Sequence, residues 1–177
     1  MIKLGNTNDL QEFHKLISNF EKNETICEMK QYRHHYTTNC YEHCTHVAFY
    51  TYLLCKKYHL DYISAVRAAM VHDLFLYDWR IKSEKSPRLH GFRHPRIALN
   101  NAEKLFDLSP KEKDIILKHM WPITFFLPRY KESYIVSFAD KMATMQETID
   151  YYKHNLKIQK LYRYGYVFLS LLIFRIF

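Results

Sequence analysis

The side chains most capable of chemistry gather around one adjacent pair, His72 and Asp73, in the stretch AAMVHDLFLYDW at residues 68 to 79. An imidazole followed at once by a carboxylate, at the end of an alanine-rich apolar segment, is costly to bury without a partner. A metal ion is the obvious one. Four more potential ligands lie along the chain: His43, His94, His119 and Asp140. Imidazole and carboxylate donors suit Fe, Mn, Co, Ni or Zn better than thiolate-loving ions or Ca. Any one of these residues alone would ordinarily be a core group held by internal hydrogen bonds. All of them converging without a cation would leave too many buried polar groups to satisfy.

The elements that must position this set read as helices. Leu10, Phe13, Leu16, Ile17 and Phe20 fall at helical spacing, predicting a packing helix over 7–20. Residues 24 to 36 are polar and basic, with Arg33, His34 and His35 in a row, and read as a solvated helix or loop. Thr37, Thr38 and Asn39 are acceptable N-caps for a helix to about Tyr58, with His43, Val47, Tyr50 and Leu54 along one stripe. Asp61 caps the next, whose stripe of Ala65, Ala68, Ala69 and His72 lets a neighbour approach closely. The helix carrying His43 is the natural neighbour. Adjacent helical residues point about 100° apart, so Asp73 is better placed than His72 to reach a second centre.

Residues 75 to 93 make a long aromatic and basic connection, with Phe75, Tyr77, Trp79, Arg80, Lys82, Lys85, Arg88, His90 and Arg93. A connection of that length is more often functional than idle. The residue before a proline is pushed out of helical geometry, which predicts His94 just ahead of a helix starting at Pro95. Ser109-Pro110-Lys111-Glu112 is a capping box with proline at the first helical position. Its helix sets Ile115 and His119 four apart and is stopped by Pro122. WPITFFLPRY is too proline-broken for a helix, and another runs from Lys131 to about Lys153 with Val136, Asp140 and Ala143 on one face. The apolar tail reads as a further helix, about 155–177. Its uncharged run from Tyr164 to Phe174 falls short of the about 20 residues a membrane span needs. It would pack on the core or join a second copy in a homo-oligomer; attachment to an anionic membrane surface beside Lys157, Lys160 and Arg163 is the alternative.

Composition agrees with one all-α domain over residues 1–177, whose site-bearing core spans about 40–147. With three glycines in 177 residues, phosphate loops of the Gly-rich kind and turn-dense β folds are excluded. A net charge of +8 suits an anionic partner: a nucleotide, a nucleic acid or an acidic membrane. The four cysteines, Cys27, Cys40, Cys44 and Cys55, with no apolar leader in MIKLGNTNDL, predict a reduced cytoplasmic setting. Cys40 and Cys44 flank His43 and admit a zinc reading, but buried core thiols are the ordinary one.

Taken in order, His43 in YEHCTHVAFY, His72-Asp73 in MVHDLFLYDW, His94 in HGFRHPRIAL, His119 in ILKHMWP and Asp140 in SFADKMA resemble the HD-domain metal-dependent phosphohydrolases, in the subgroup with two extra histidines before the final aspartate. The resemblance implies an HD-like helical bundle. It implies that His43, His72, Asp73 and Asp140 hold a first divalent ion and that Asp73 bridges to a second held by His94 and His119. Two such ions at ~3.5–4 Å share and acidify a water and clamp phosphoryl oxygens. Many members carry a lysine three residues after the HD aspartate, where this chain has Leu76. Transition-state charge must then be met by Lys141, Arg129, Arg80 or His90, Lys141 and Arg129 foremost. Tyr77, Trp79 and Trp121 are placed to stack a nucleobase, Trp121 more as a core or lid aromatic. His90 is a substitute ligand or a donor behind His94, while His14, His34, His35, His46, His59 and His154 read as ordinary surface or capping residues. The expectation is a hydrolase of small phosphorylated substrates such as nucleotides. The alternatives are a mixed-valent di-iron oxygenase on the same six ligands and a non-catalytic metal-stabilised binding module.

Overall fold

The computed structural model describes residues 7–34, 36–81 and 89–174, with side chains described as far as residue 160 apart from residue 158. Among the described residues the chain forms seven α-helices and no strand, only an isolated bridge between Arg33 and Asn39. The all-α reading holds. The helices are α1 (Thr7–Glu21), α2 (Glu24–Glu28), α3 (Cys40–Lys57), α4 (Tyr62–Val71), α5 (His90–Leu105), α6 (Pro110–Lys118) and α7 (Lys131–Phe174).

The centre of the bundle is the pair α3 and α4, with α7 laid against α3 and α6 against α4. Ala65, Ala68 and Ala69 are fully buried, and their small side chains allow that close approach. Side-chain caps fix where the helices begin. Asn39 accepts from the Glu42 amide while Glu42 reaches back to the Asn39 amide, and Ser109 and Glu112 make the same reciprocal box at α6. Asp61 accepts from the Ser64 amide at the start of α4. Each such cap contributes about 1 kcal/mol and sets the rotational register of the helix that follows.

Three expectations are corrected. The segment after α1 is not solvated, because Ile26 and Met29 are fully buried and His34 nearly so. Helix α5 begins at His90 rather than at Pro95. A proline removes one amide donor and disfavours helical geometry in the residue before it, yet α5 carries Pro95 in its second turn, and His94 therefore sits within a helix. The last helix does not stop near Lys153. It continues unbroken to Phe174, 44 residues or about 66 Å at 1.5 Å per residue, because nothing between Lys153 and Leu161 is a helix breaker. The packing expected of the apolar tail falls on side chains outside the described ones. Among the described residues, no helix is long and apolar enough to cross a membrane.

Away from the centre, α1 is pinned to α3 and α4 by a polar cluster. Glu12 accepts from Lys56 at 2.8 Å, Tyr52 at 2.7 Å and Tyr62 at 2.8 Å. These donors, Lys56 first, hold the Glu12 carboxyl down to about 2. The stabilisation is fully present above the ordinary glutamate range and is lost as pH falls from about 4.5 towards 2. Glu12→Gln should accordingly lower Tm at pH 7, with the gap to the unsubstituted chain closing across that window; thermal melts by circular dichroism at pH 7, 4 and 2.5 check it.

Candidate metal centre

Two of the four predicted histidine ligands are held by one local device. The last carbonyls of a helix have no intrahelical partner, and a histidine at the C-cap can use one of them. His72 caps α4 and its Nδ1 donates to the Ala69 carbonyl at 2.7 Å. His119 caps α6 and its Nδ1 donates to the Ile116 carbonyl at 2.8 Å. On α5, His94 Nδ1 donates to the His90 carbonyl at 3.0 Å. On α3, His43 Nδ1 donates to the Glu147 carboxylate at 3.1 Å. A carbonyl or carboxylate only accepts, so the proton sits on Nδ1 in every case. With Nδ1 so engaged, all four Nε2 atoms are directed to one place.

Asp73 stands in the middle. Its Oδ1 lies 3.2 Å from His94 Nε2 and 3.5 Å from His119 Nε2. Its Oδ2 lies 3.5 Å from His72 Nε2 and 2.7 Å from His34 Nε2. Asp140, from the middle of α7, sets Oδ1 3.1 Å from His43 Nε2 and 3.9 Å from His72 Nε2. All six predicted ligands thus meet, although they are drawn from five elements. Asp73 is only 4% exposed and His43 and His72 are fully buried.

Without a cation this arrangement is frustrated. His94 and His119 face each other Nε2 to Nε2 at 2.8 Å, with both protons already committed to carbonyls. His72 Nε2 and Asp73 Oδ1 are buried with no hydrogen-bond partner among the described residues, each an omission of about 1–3 kcal/mol. Burial acts against charge on His72, yet the Asp73 and Asp140 carboxylates and the Cys44 thiol outweigh it and push its pKa up to about 10. Burial and the neighbouring His72 hold His119 down at about 3. Triads of donors that close within 4.8 Å, His43–His72–Asp140 and His72–Asp73–His119 among them, can hold a metal ion. The donor set and the orphaned atoms fit one.

The remaining expected residues are distributed unevenly. A cleft of about 620 Å³ opens over Asp73, His94, His119 and Asp140, walled by Trp79, Met120, Ile123 and Met145. Lys141 lines it and is the one cationic side chain among the described lining residues. Its ammonium already donates to the His119 carbonyl at 3.3 Å and to the Ser137 carbonyl and hydroxyl at 3.0 Å. Arg129 is exposed and outside the lining, its amide bound to Asp114. Arg80 is exposed and paired with Asp78 at 2.6 Å. Lys82, Lys85 and Arg88 lie outside the described residues. His90 sits behind His94, stacked on it at 4.8 Å and on Trp79 at 5.4 Å, with its Nδ1 3.0 Å from the Tyr77 hydroxyl. Burial, with the neighbouring His94 ring, keeps its pKa down at about 4. Tyr77 is buried against Phe75 and His90, so only Trp79 of the two aromatics borders the cleft. Trp121 packs edge-on against Tyr134 outside the lining. Cys40 and Cys44 are buried, their thiols against the Asp73 carbonyl at 3.1 Å and His72 Nδ1 at 3.7 Å.

Two residues escaped the sequence. His34, read there as a surface group, is 7% exposed and stacks on His43 at 4.0 Å. Its own amide donates to the Thr38 carbonyl at 2.9 Å across a turn before α3, and no spacing rule reaches so irregular a segment. Glu147 orients His43 and also accepts from His46 at 3.1 Å. Its signal was available, since it follows Asp140 by two helical turns on the same face. Burial raises its pKa, but the His43 and His46 bonds outweigh that and hold it at about 2. No family model matches the chain, and neither does any curated protein or solved structure.

Glu147→Ala removes the acceptor that orients the His43 ring through Nδ1. Losing such a partner lowers metal affinity about 10–100-fold, measurable by competing the chain against a chromophoric chelator for Zn(II).

Proposed function

We propose that the chain is a two-metal phosphohydrolase of the HD-domain type, acting on small phosphorylated substrates such as nucleotides. The observation that carries the reading is Asp73, whose two carboxylate oxygens face different sets of imidazoles, His34 and His72 on one side and His94 and His119 on the other. A carboxylate so placed is suited to bridge two ions. When bound, such a pair supplies Lewis acidity to phosphoryl oxygens and acidifies a water near neutral pH. The chain's own residues do the rest. His43, His72, Asp73 and Asp140 would hold one ion and Asp73, His94 and His119 the other, while the carbonyls of Ala69, Ile116 and His90 fix the rings. Trp79, Met120, Ile123 and Met145 would bind the apolar body of the substrate and exclude water. Lys141 would turn one of its three donors towards the phosphate.

One feature favours a second reading. Leu76 stands where a lysine assists many hydrolases of this type, Arg80 and Arg129 face elsewhere, and Lys141 alone offers positive charge among the described lining residues. A mixed-valent di-iron oxygenase needs less cationic support for a leaving group. The two are separated by loading the full chain with Mn(II) or Co(II), and in parallel with iron, and following phosphate release from a panel of phosphoesters and nucleotides with and without oxygen. A hydrolase turns over one or more substrates at the same rate in both atmospheres. Asp73→Asn should then lower the rate on the order of 10²-fold or more and reduce metal uptake. Oxygen consumption by the iron-loaded chain without phosphate release would replace the hydrolase reading with the oxygenase.

A further inference from the structure

His34 is the one side chain of the cluster that neither the ligand pattern nor the chemistry above employs. It belongs to no helix and comes before α3. Nevertheless its Nε2 lies 2.7 Å from Asp73 Oδ2, closer than any of the expected ligands comes to that carboxylate. Its ring lies parallel to His43 at 4.0 Å and 14°, and donor atoms of His34, His43 and Asp73 fall within 4.8 Å of one another, as in the other two triads. It also differs from its neighbours in where it stands. His43 and His72 are fully buried and do not line the cleft, whereas His34 does. It is therefore on the cleft side of the position that those two histidines serve.

We infer that His34 is a ligand of the first ion and closes that ion off from the cleft, so that the two metal positions are unequal. This rests on the metal-centre reading above and goes beyond it by assigning a role to each half. With His34, the first position would draw on five side chains, His34, His43, His72, Asp73 and Asp140, whose donor atoms form two overlapping triads that share His43. The second has three, from Asp73, His94 and His119, all of which border the cleft. A filled donor set marks a structural ion and an open one an ion that takes substrate. The substrate oxygen is thus received at the second position, beside Lys141 and beneath Trp79.

The competing role for His34 is a hydrogen-bond donor that merely orients Asp73. Two substitutions separate the roles, because the glutamine amide can donate to Asp73 as the imidazole does but is a poor metal ligand. The full chain, stripped by chelation, is reloaded with Co(II), and bound cobalt and the visible absorption spectrum are recorded for the unsubstituted chain, His34→Gln and His34→Ala. Ligation predicts two cobalt ions in the unsubstituted chain. In both variants the spectrum of one ion moves to the stronger absorption of lower coordination, and its affinity falls by more than the about 10–100-fold that an outer hydrogen bond accounts for. Added imidazole restores the original spectrum in His34→Ala. Should the alanine variant fail to fold by circular dichroism, the glutamine variant carries the test. An unchanged spectrum and affinity in His34→Gln overturns the assignment and leaves the two-metal centre standing. Failure of the unsubstituted chain to bind cobalt overturns the centre itself, and His34 with it.

Discussion

Four imidazole Nε2 atoms and two carboxylates crowd one buried volume, an arrangement that favours positive charge among them. The rings cannot turn away. His72 and His119 are tied by Nδ1 to carbonyls three residues back, His94 to one four back, and His43 to Glu147. Turning any ring to offer an N–H to Asp73 would break one of these bonds and bury another unpaired group, an exchange with no gain. Two helix C-termini, those of α4 and α6, also end at the centre, and the partial negative charge there adds to the preference for a cation. The polar interior is held in its repulsive geometry by the same bonds that would make it a good ligand set.

Packing supplies the precision. The alanines of α4 allow it to lie close on α3, which brings His72 within 5.6 Å of His43, centroid to centroid. Helix α7 then lies across α3 and carries Asp140, Lys141, Thr144 and Met145 to the cleft, with Glu147 two turns after Asp140 bonded to His43. A larger residue at Ala68 or Ala69 would separate the helices, and overpacking of that kind costs about 1–3 kcal/mol in stability. Because a ligand set tolerates only a few tenths of an ångström, its effect on the centre would exceed its effect on the fold.

Much of this was legible in the residues. His43 on an apolar stripe, Asp140 in mid-helix and His119 three residues before Pro122 could each be placed because helical period and proline chemistry are local. So could the start of α7, which falls at Lys131 as expected. What was not legible depended on long-range contact. His34 is fixed by a turn and by Asp73, thirty-nine residues away, and nothing in RHH distinguishes it from a solvated basic run. His94 was placed at a helix entrance because the rule for residues before proline is a preference. Stacking on His90 and the bond to its carbonyl belong to a helix that was already under way. The continuation of α7 beyond Lys153 runs across a change of composition, since neither glycine nor proline stands between Lys153 and Leu161 to end the helix.

The mixture of walls and floor bears on what the cleft selects. Were the floor of carboxylates and imidazoles to carry cations, as proposed, it would attract any small anion, inorganic phosphate as well as an ester. The walls do not. Trp79, Met120, Ile123 and Met145 remain in contact with water unless the ligand brings an apolar body, and covering them is worth about 25 cal/mol per Å². Excluding water from the same space also strengthens each charge interaction at the floor, since attraction scales inversely with the local dielectric. On the proposed reading, selection between a bare anion and one joined to a planar or apolar group would therefore be made by the walls, where Trp79 is stacked on His90.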